Sequence, residues 1–139
     1  YELGLECQVV SSPGVTMSQV LGMVEPEYVE GWYGVTDFVS TSTDEEVVNF
    51  IEKFKAAYDI EPELYAPSYY GCAKVLLTAI ENAGRTDRDA VRGEIEKIQD
   101  LQVPIGVAAC DESHDLIHSI NVARIENLTP IFVESVSVE

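Results

Sequence analysis

The spacing of apolar and polar positions changes period several times along the chain, and each change marks an element. Glu6 to Val10 is a short β-prone run closed by the turn cluster Ser11, Ser12, Pro13 and Gly14, which predicts a strand followed by a loop. A helix-like stretch covers about Ser18 to Val24. Gly31 to Phe38, rich in aromatic and β-branched residues, reads as a second strand, and Ser40 to Thr43 form a polar connection. Thr43 and Glu46 have the spacing of a capping box, in which each side chain satisfies a backbone donor of the first helical turn, so a helix is expected to start there. Val47, Phe50, Ile51, Phe54 and Tyr58 then recur at helical spacing and lay one apolar stripe along it, with Glu52, Lys53 and Lys55 largely off the stripe.

Pro62 ends the connection to a second helix, predicted from about Pro67 to Ala83. Its inward face is expected to carry Tyr69, Cys72, Ala73, Leu76, Leu77 and Ile80, and Gly84 is its natural stop. Thr86 and Asp89 repeat the capping pattern, and Val91, Ile95 and Ile98 give a third, short helix its buried side. From Val103 onward the period becomes that of strands: Pro104 to Ala109, Ser119 to Ile125, a turn near Asn127, then Pro130 to Val136, the last two runs forming a hairpin. The alternation of helices and strands predicts an α/β fold. No internal repeat or low-complexity tract interrupts it.

Length and composition are those of a globular domain: 139 residues, 46% apolar and 24% charged. No apolar run reaches the roughly 18 residues of a membrane helix, so no insertion in a bilayer is expected from this segment. Charge is the outlier, with 25 Asp and Glu against 8 Lys and Arg for a net charge of -17. So acidic a surface repels phosphate backbones and anionic headgroups, which argues against nucleic-acid and membrane-surface partners; solubility in a salty medium is the simpler account of the charge. Cys7, Cys72 and Cys110 stand far apart among apolar neighbours and read as buried structural thiols, with one bridge and one free thiol as the alternative. Tyr1 has no initiator Met before it, and Tyr1 to Leu5 reads as the tail of a helix ending at Gly4, so the chain is expected to be cut from something longer.

Reactive constellations are sparse. Cys110, Asp111, Glu112, His114, Asp115 and His118 form the densest polar cluster, and two histidines four apart can share a zinc ion when they lie on a helix. Asp111 to Asp115 reads instead as a turn in which acidic side chains accept from local backbone donors, so no metal and no cofactor is expected. The chain has no nucleophile elbow, phosphate loop or dinucleotide fingerprint, and an enzyme is not expected. Asn127, Leu128 and Thr129 match a glycosylation sequon at a predicted hairpin turn.

Several strings resemble one family. The stretch IEKFKAAYDIEPELYAPSYYGCAKVLLTAIENAGRTDRDAVRGEIEK is similar to the helix pair in the second half of type 1 periplasmic solute-binding proteins of the branched-chain amino acid and amide transporter kind. DESHDLIHSINVARIENLTPIFV resembles their closing strand, acidic turn and hairpin, and ELGLECQVVSSPG with VEGWYGVTDF resembles a helix end, strand, ligand loop and crossover strand. The resemblance spans almost the whole chain. It implies part of a two-lobed α/β receptor, a three-layer arrangement of sheet and flanking helices, whose polypeptide crosses between lobes three times. Residues 1–38 would belong to the second lobe, 39–117 to the first, and 118–139 would return to the second.

The resemblance also implies a ligand site. Ser12, Pro13 and Gly14 stand in the loop that reaches the cleft from the second lobe. Family members that bind α-amino acids often carry a carboxylate there to pair with the ligand ammonium, and Pro13 holds the matching position here. A neutral amide, a carboxylate without an amine, or an amine held by some other residue therefore fits at least as well as leucine, isoleucine or valine. The bland reading of the same residues is an ordinary turn. Tyr65 matches an aromatic that lines the ligand side-chain pocket, with Tyr69 one helical turn on; both could equally be residues of a helix start that bind nothing. The implied function is the periplasmic or extracellular substrate-binding component of an ABC importer for amino acids, amides or small organic acids, partnered by the membrane permease subunits. It could be lipid-anchored through a preceding segment. The alternative is a ligand-sensing domain of a regulator or receptor with the same architecture.

Overall fold

A computed structural model of the chain describes Gly4 and residues 6–137. The expected helix tail at Tyr1 to Leu5 lies largely outside those residues. Strand β1 is only Val10–Ser11, shorter than the run that predicts it. Pro13, whose fixed φ suits a first helical position, opens a 3-10 turn over Pro13–Thr16, closed by the Thr16 hydroxyl donating to the Pro13 carbonyl at 2.8 Å. Helix α1 (Ser18–Leu21) follows. A further short helix, α2 (Pro26–Val29), was not anticipated, although Pro26 and Glu27 are favourable first-turn residues.

Strand β2 (Tyr33–Thr36) pairs parallel to β1, Val10 opposite Tyr33, with the turn, α1 and α2 as the crossover. Strands β6 (Ile120–Glu126) and β7 (Thr129–Val136) complete a sheet in the order β1-β2-β6-β7, both added antiparallel. The predicted hairpin is present, and its two-residue turn has positive φ at Asn127 (50°) and Leu128 (60°). Leucine rarely adopts that conformation. Its side chain packs on the neighbouring core, and the Asn127 amide donates to the Glu30 carboxylate at 2.8 Å.

Between β2 and β6 the chain builds a second unit. Helices α3 (Glu45–Tyr58), α4 (Tyr65–Ala83) and α5 (Arg88–Ile95) precede a sheet of β3 (Leu101–Val103), β4 (Gly106–Cys110) and β5 (Leu116–Ile117). Pro104 to Ala109 is not one strand. Pro104 and Ile105 form the turn between β3 and β4, where Gly106 takes a φ of 111° that a side chain would oppose. The helix caps also move by one residue. Asp44, not Thr43, accepts from the Glu46 and Val47 amides, and Asp87, not Thr86, accepts from Ala90. In both cases the shorter, charged Asp side chain directly before the helix reaches the first-turn donors. Gly84 ends α4 in the left-handed conformation, as predicted, its amide bonded to the Ile80 and Glu81 carbonyls.

Two separate cores result. Val15, Leu21, Val29 and Ile125 make one; Phe38, Val47, Val75, Ile98, Val103, Ile105 and Ala108 make the other. The inward face of α4 differs from the expected one. Pro67, Gly71, Val75 and Ala79 are buried, whereas Tyr69 is 74% exposed, Leu77 65% and Leu76 48%, and Cys72 and Ala73 are exposed as well. A β-carbon at Gly71 would lie 3.5 Å from Val103, so the small residues let α4 settle on β3. The helix carries apolar residues on more than one face, and bulk alone selects the wrong one. The α3 stripe holds better: Val47 and Phe50 are buried, with the Phe50 ring 5.2 Å from Tyr70 and 5.7 Å from Phe54, although Tyr58 is exposed. All three cysteines are free, but only Cys110 is buried. Cys7 and Cys72 are exposed, Cys72 because it lies on the outer face of α4.

Candidate functional site

The chain passes between the two cores at residues 37–44 and again near 117–120, and both passages are tied down. The Asn121 side-chain amide donates to the Asp37 carbonyl at 2.9 Å. The Thr41 hydroxyl donates to the Pro130 carbonyl at 2.8 Å and accepts from the Phe132 amide at 2.9 Å, which fastens the first passage to β7.

Beside this junction lies a hollow of about 290 Å³. Thr16 and Ser18, Glu61 to Leu64, Phe38 and Ser40, and Leu128 to Pro130 line it. The walls therefore come from both cores. Local structure places each: the 3-10 turn presents Thr16, the start of α1 presents Ser18, and Pro62, buried, sets the extended approach to α4 that carries Glu63. The Ser18 hydroxyl donates to the Glu63 carboxylate, so the two segments meet at the hollow. Glu61 is paired with Lys55 at 2.5 Å.

A second hollow of about 280 Å³ also touches both units, between Ser42 to Val47 and β6-β7. Its main polar groups are engaged in structure: Asp44 caps α3 and Asn121 bonds to Asp37. The first hollow is the better candidate, since it adjoins the loop after β1 and the start of α4.

None of the predicted site residues, Ser12, Pro13, Gly14, Tyr65 and Tyr69, lines it. Ser12 is exposed and Pro13 and Gly14 are half-buried on the 3-10 turn that delivers Thr16; none of the three is in the lining. Tyr65 is 60% exposed directly after Leu64, and Tyr69 lies one turn further along the same exposed face of α4. Thr16, Ser18 and Glu63 were not anticipated.

The acidic turn after β4 closes on itself. Asp111 accepts from the Ser113 and Asp115 amides at 2.9 and 2.8 Å, the His114 ring lies 3.4 Å from Glu96, and the His118 ring bonds to the Ser119 carbonyl. Among the described residues no group of three or more His, Cys, Asp or Glu side chains is placed to hold a metal ion, and no helix is long and apolar enough to cross a membrane.

Two α/β units joined by paired passages, with a hollow between them, define a two-part binding fold. The chain belongs to the periplasmic binding protein family, whose model matches residues 2–129. Among solved structures it is similar to a leucine-binding protein, LivK, from Thermotoga maritima, at 27% identity and a TM-score of 0.83 over 98% of this chain and 39% of that one. An ABC transporter substrate-binding protein from Sphaerobacter thermophilus superposes with a TM-score of 0.85 at 20% identity, over 98% of this chain and 39% of that one. The branched-chain amino acid transporter substrate-binding protein LivJ from Streptococcus pneumoniae, solved with isoleucine, gives 0.79 at 17% identity over 99% and 38%. The chain thus spans about two-fifths of the length of these relatives. No curated protein matches the sequence.

Proposed function

We propose that the chain supplies parts of both lobes of the extracytoplasmic substrate-binding component of an ABC importer for branched-chain amino acids, amides or similar small polar solutes. Residues 1–38 and 118–139 are assigned to one lobe and 39–117 to the other, with the hollow at Thr16, Ser18 and Glu63 as part of the cleft between them. The observation that carries this reading is that one small hollow is walled by segments from two separate cores. Solute held there touches segments of both units at once, so its binding favours the arrangement in which they meet, which a permease subunit can read. Tyr65, with Tyr69 behind it, extends the wall toward the apolar part of the solute, and Ser12, Pro13 and Gly14 shape the opposite loop.

Two further observations support the assignment. Two of the relatives described above are transporter substrate-binding proteins, which favours transport over sensing. The exposed apolar face of α4, around Leu76 and Leu77, suits a receptor of the relatives' full size, in which further elements of the same lobe lie against it. A periplasmic or extracellular location, with tethering by a lipid-modified segment outside the chain, belongs to the same proposal.

A thermal-shift screen of the purified protein against amino acids, amides, urea and short organic acids tests it. A solute that binds the native state alone raises the melting temperature with its concentration. Hits confined to small polar solutes are expected; a flat response across the panel contradicts the reading.

A further inference from the structure

A further hollow lies wholly within one unit, between α3 and α4, and its chemistry differs from that of the two at the junction. It holds about 320 Å³ and is lined by Phe50, Lys53, Phe54, Tyr58, Ala66 and Tyr70. Helical spacing explains the set: positions 50, 53, 54 and 58 fall on one face of α3, and Ala66 and Tyr70, four apart, on one face of α4. The rings form a connected group. Centroids are 5.7 Å apart for Phe50 and Phe54, 4.7 Å for Phe54 and Tyr58, and 5.2 Å for Phe50 and Tyr70, all tilted. Phe50 is buried, but Tyr58 is 65% exposed and Tyr70 50%, so aromatic surface stays open to a ligand.

Lys53 is the only charged side chain in this lining, in a protein of net charge -17, whereas the junction hollows carry Glu61 and Glu63 in one case and Asp44 in the other. Lys55, Arg92, Lys97 and Arg124 each pair with a glutamate, but Lys53 has no ion pair or hydrogen bond among the described residues. Its helical neighbours are the reason: Asn49, Phe50, Ala56 and Ala57 stand three and four positions away, and none is acidic. Helix α4 begins and α3 ends beside the hollow, so their dipoles offset and the ammonium decides the sign of the site. Backbone amides add no donor, since those of residues 50–58 and of Tyr70 bond within their helices and that of Ala66 donates to the Glu63 carbonyl. The other polar side-chain groups are the Tyr58 and Tyr70 hydroxyls, which donate as readily as they accept. A ring-lined space of this size with one unpaired cation complements a flat apolar body that carries one negative charge. We propose that this hollow binds a small aromatic carboxylate, its ring against Phe54, Tyr58 and Tyr70 and its carboxylate toward Lys53. The site shares no lining residue with the junction hollow, and the proposal does not rest on that hollow's role.

Three probes separate ring from charge: phenylacetate; phenethyl alcohol, which keeps the ring and lacks the charge; and acetate, which keeps the charge alone. In amide-resolved NMR titrations of the purified protein, phenylacetate is expected to shift Phe50, Lys53, Phe54, Tyr58, Ala66 and Tyr70, with the alcohol about threefold or more weaker and acetate without effect at these positions. Lys53→Gln should weaken phenylacetate binding about three- to fivefold, the loss of one exposed charge contact, and leave the alcohol unchanged. Tyr58→Ala, at a largely exposed position, should weaken both. Lys97→Gln, the same charge change outside the lining, should weaken neither. The alcohol binding as tightly as phenylacetate, unchanged affinity in Lys53→Gln, shifts centred on the junction hollow, or no binding at all would each overturn the proposal.

Discussion

The Ser18 hydroxyl donates a hydrogen bond to the Glu63 carboxylate, joining the start of α1 to the approach to α4 across 45 residues of sequence. It is a direct side-chain link between the two walls of the hollow. Both partners keep solvent contact, so its contribution is modest. Ser18→Ala should lower stability by under about 1 kcal/mol and the melting temperature by about 2–4 °C, read by calorimetry. No change at all would mean that the link does not form in solution.

Tyr65 is 60% exposed, and its truncation removes little buried area. Tyr65→Ala should therefore leave stability within about 0.5 kcal/mol of the parent while weakening solute binding by roughly tenfold or more, since exposed rings at a site contribute mainly on binding. Paired melting and titration measurements separate the two effects. Unaltered affinity would remove Tyr65 from the site.

Gly34 stands where β2 passes under the 3-10 turn. A β-carbon there would lie 2.5 Å from Thr16 Cγ2 and 2.9 Å from Val15 Cγ1. Gly34→Ala should destabilise by about 1–3 kcal/mol and also weaken solute binding, because the displaced turn carries Thr16 and leads into Ser18. Urea denaturation and titration of the same sample check both parts.

Asp44 caps α3 through the Glu46 and Val47 amides, at 2.9 and 3.3 Å. Asp44→Ala should cost about 1 kcal/mol, whereas Thr43→Ala, which removes no cap bond, should stay within about 0.5 kcal/mol. Equal losses in urea midpoints would restore Thr43 as the cap.

The contrast between those two residues describes what was legible in the sequence. Periodicity and punctuation located α3, the end of α4 at Gly84 and the turn at Asn127, because each depends on neighbours a few residues apart. The choice between adjacent capping residues, and between the two faces of α4, depends on what the helix meets. Gly71 turns inward because Val103 of β3 lies close beneath it, a fact no local pattern records. The exposure of Cys72 follows from the same choice.

The site divides in the same way. Resemblance pointed to the loop after β1 and to the start of α4, and the hollow adjoins both. Thr16, Ser18 and Glu63 remained hidden because their meeting is a property of the packed units.

Amide-resolved NMR of the isotopically labelled protein, titrated with the best solute from the thermal screen, addresses the central claim most directly. Shifts concentrated at Thr16, Ser18, Ser40, Glu63, Leu64 and Thr129, from both cores at once, are predicted, with the Asp111 to Asp115 turn unaffected. Shifts confined to one core, or centred on that acidic turn, would contradict a cleft shared between the two units.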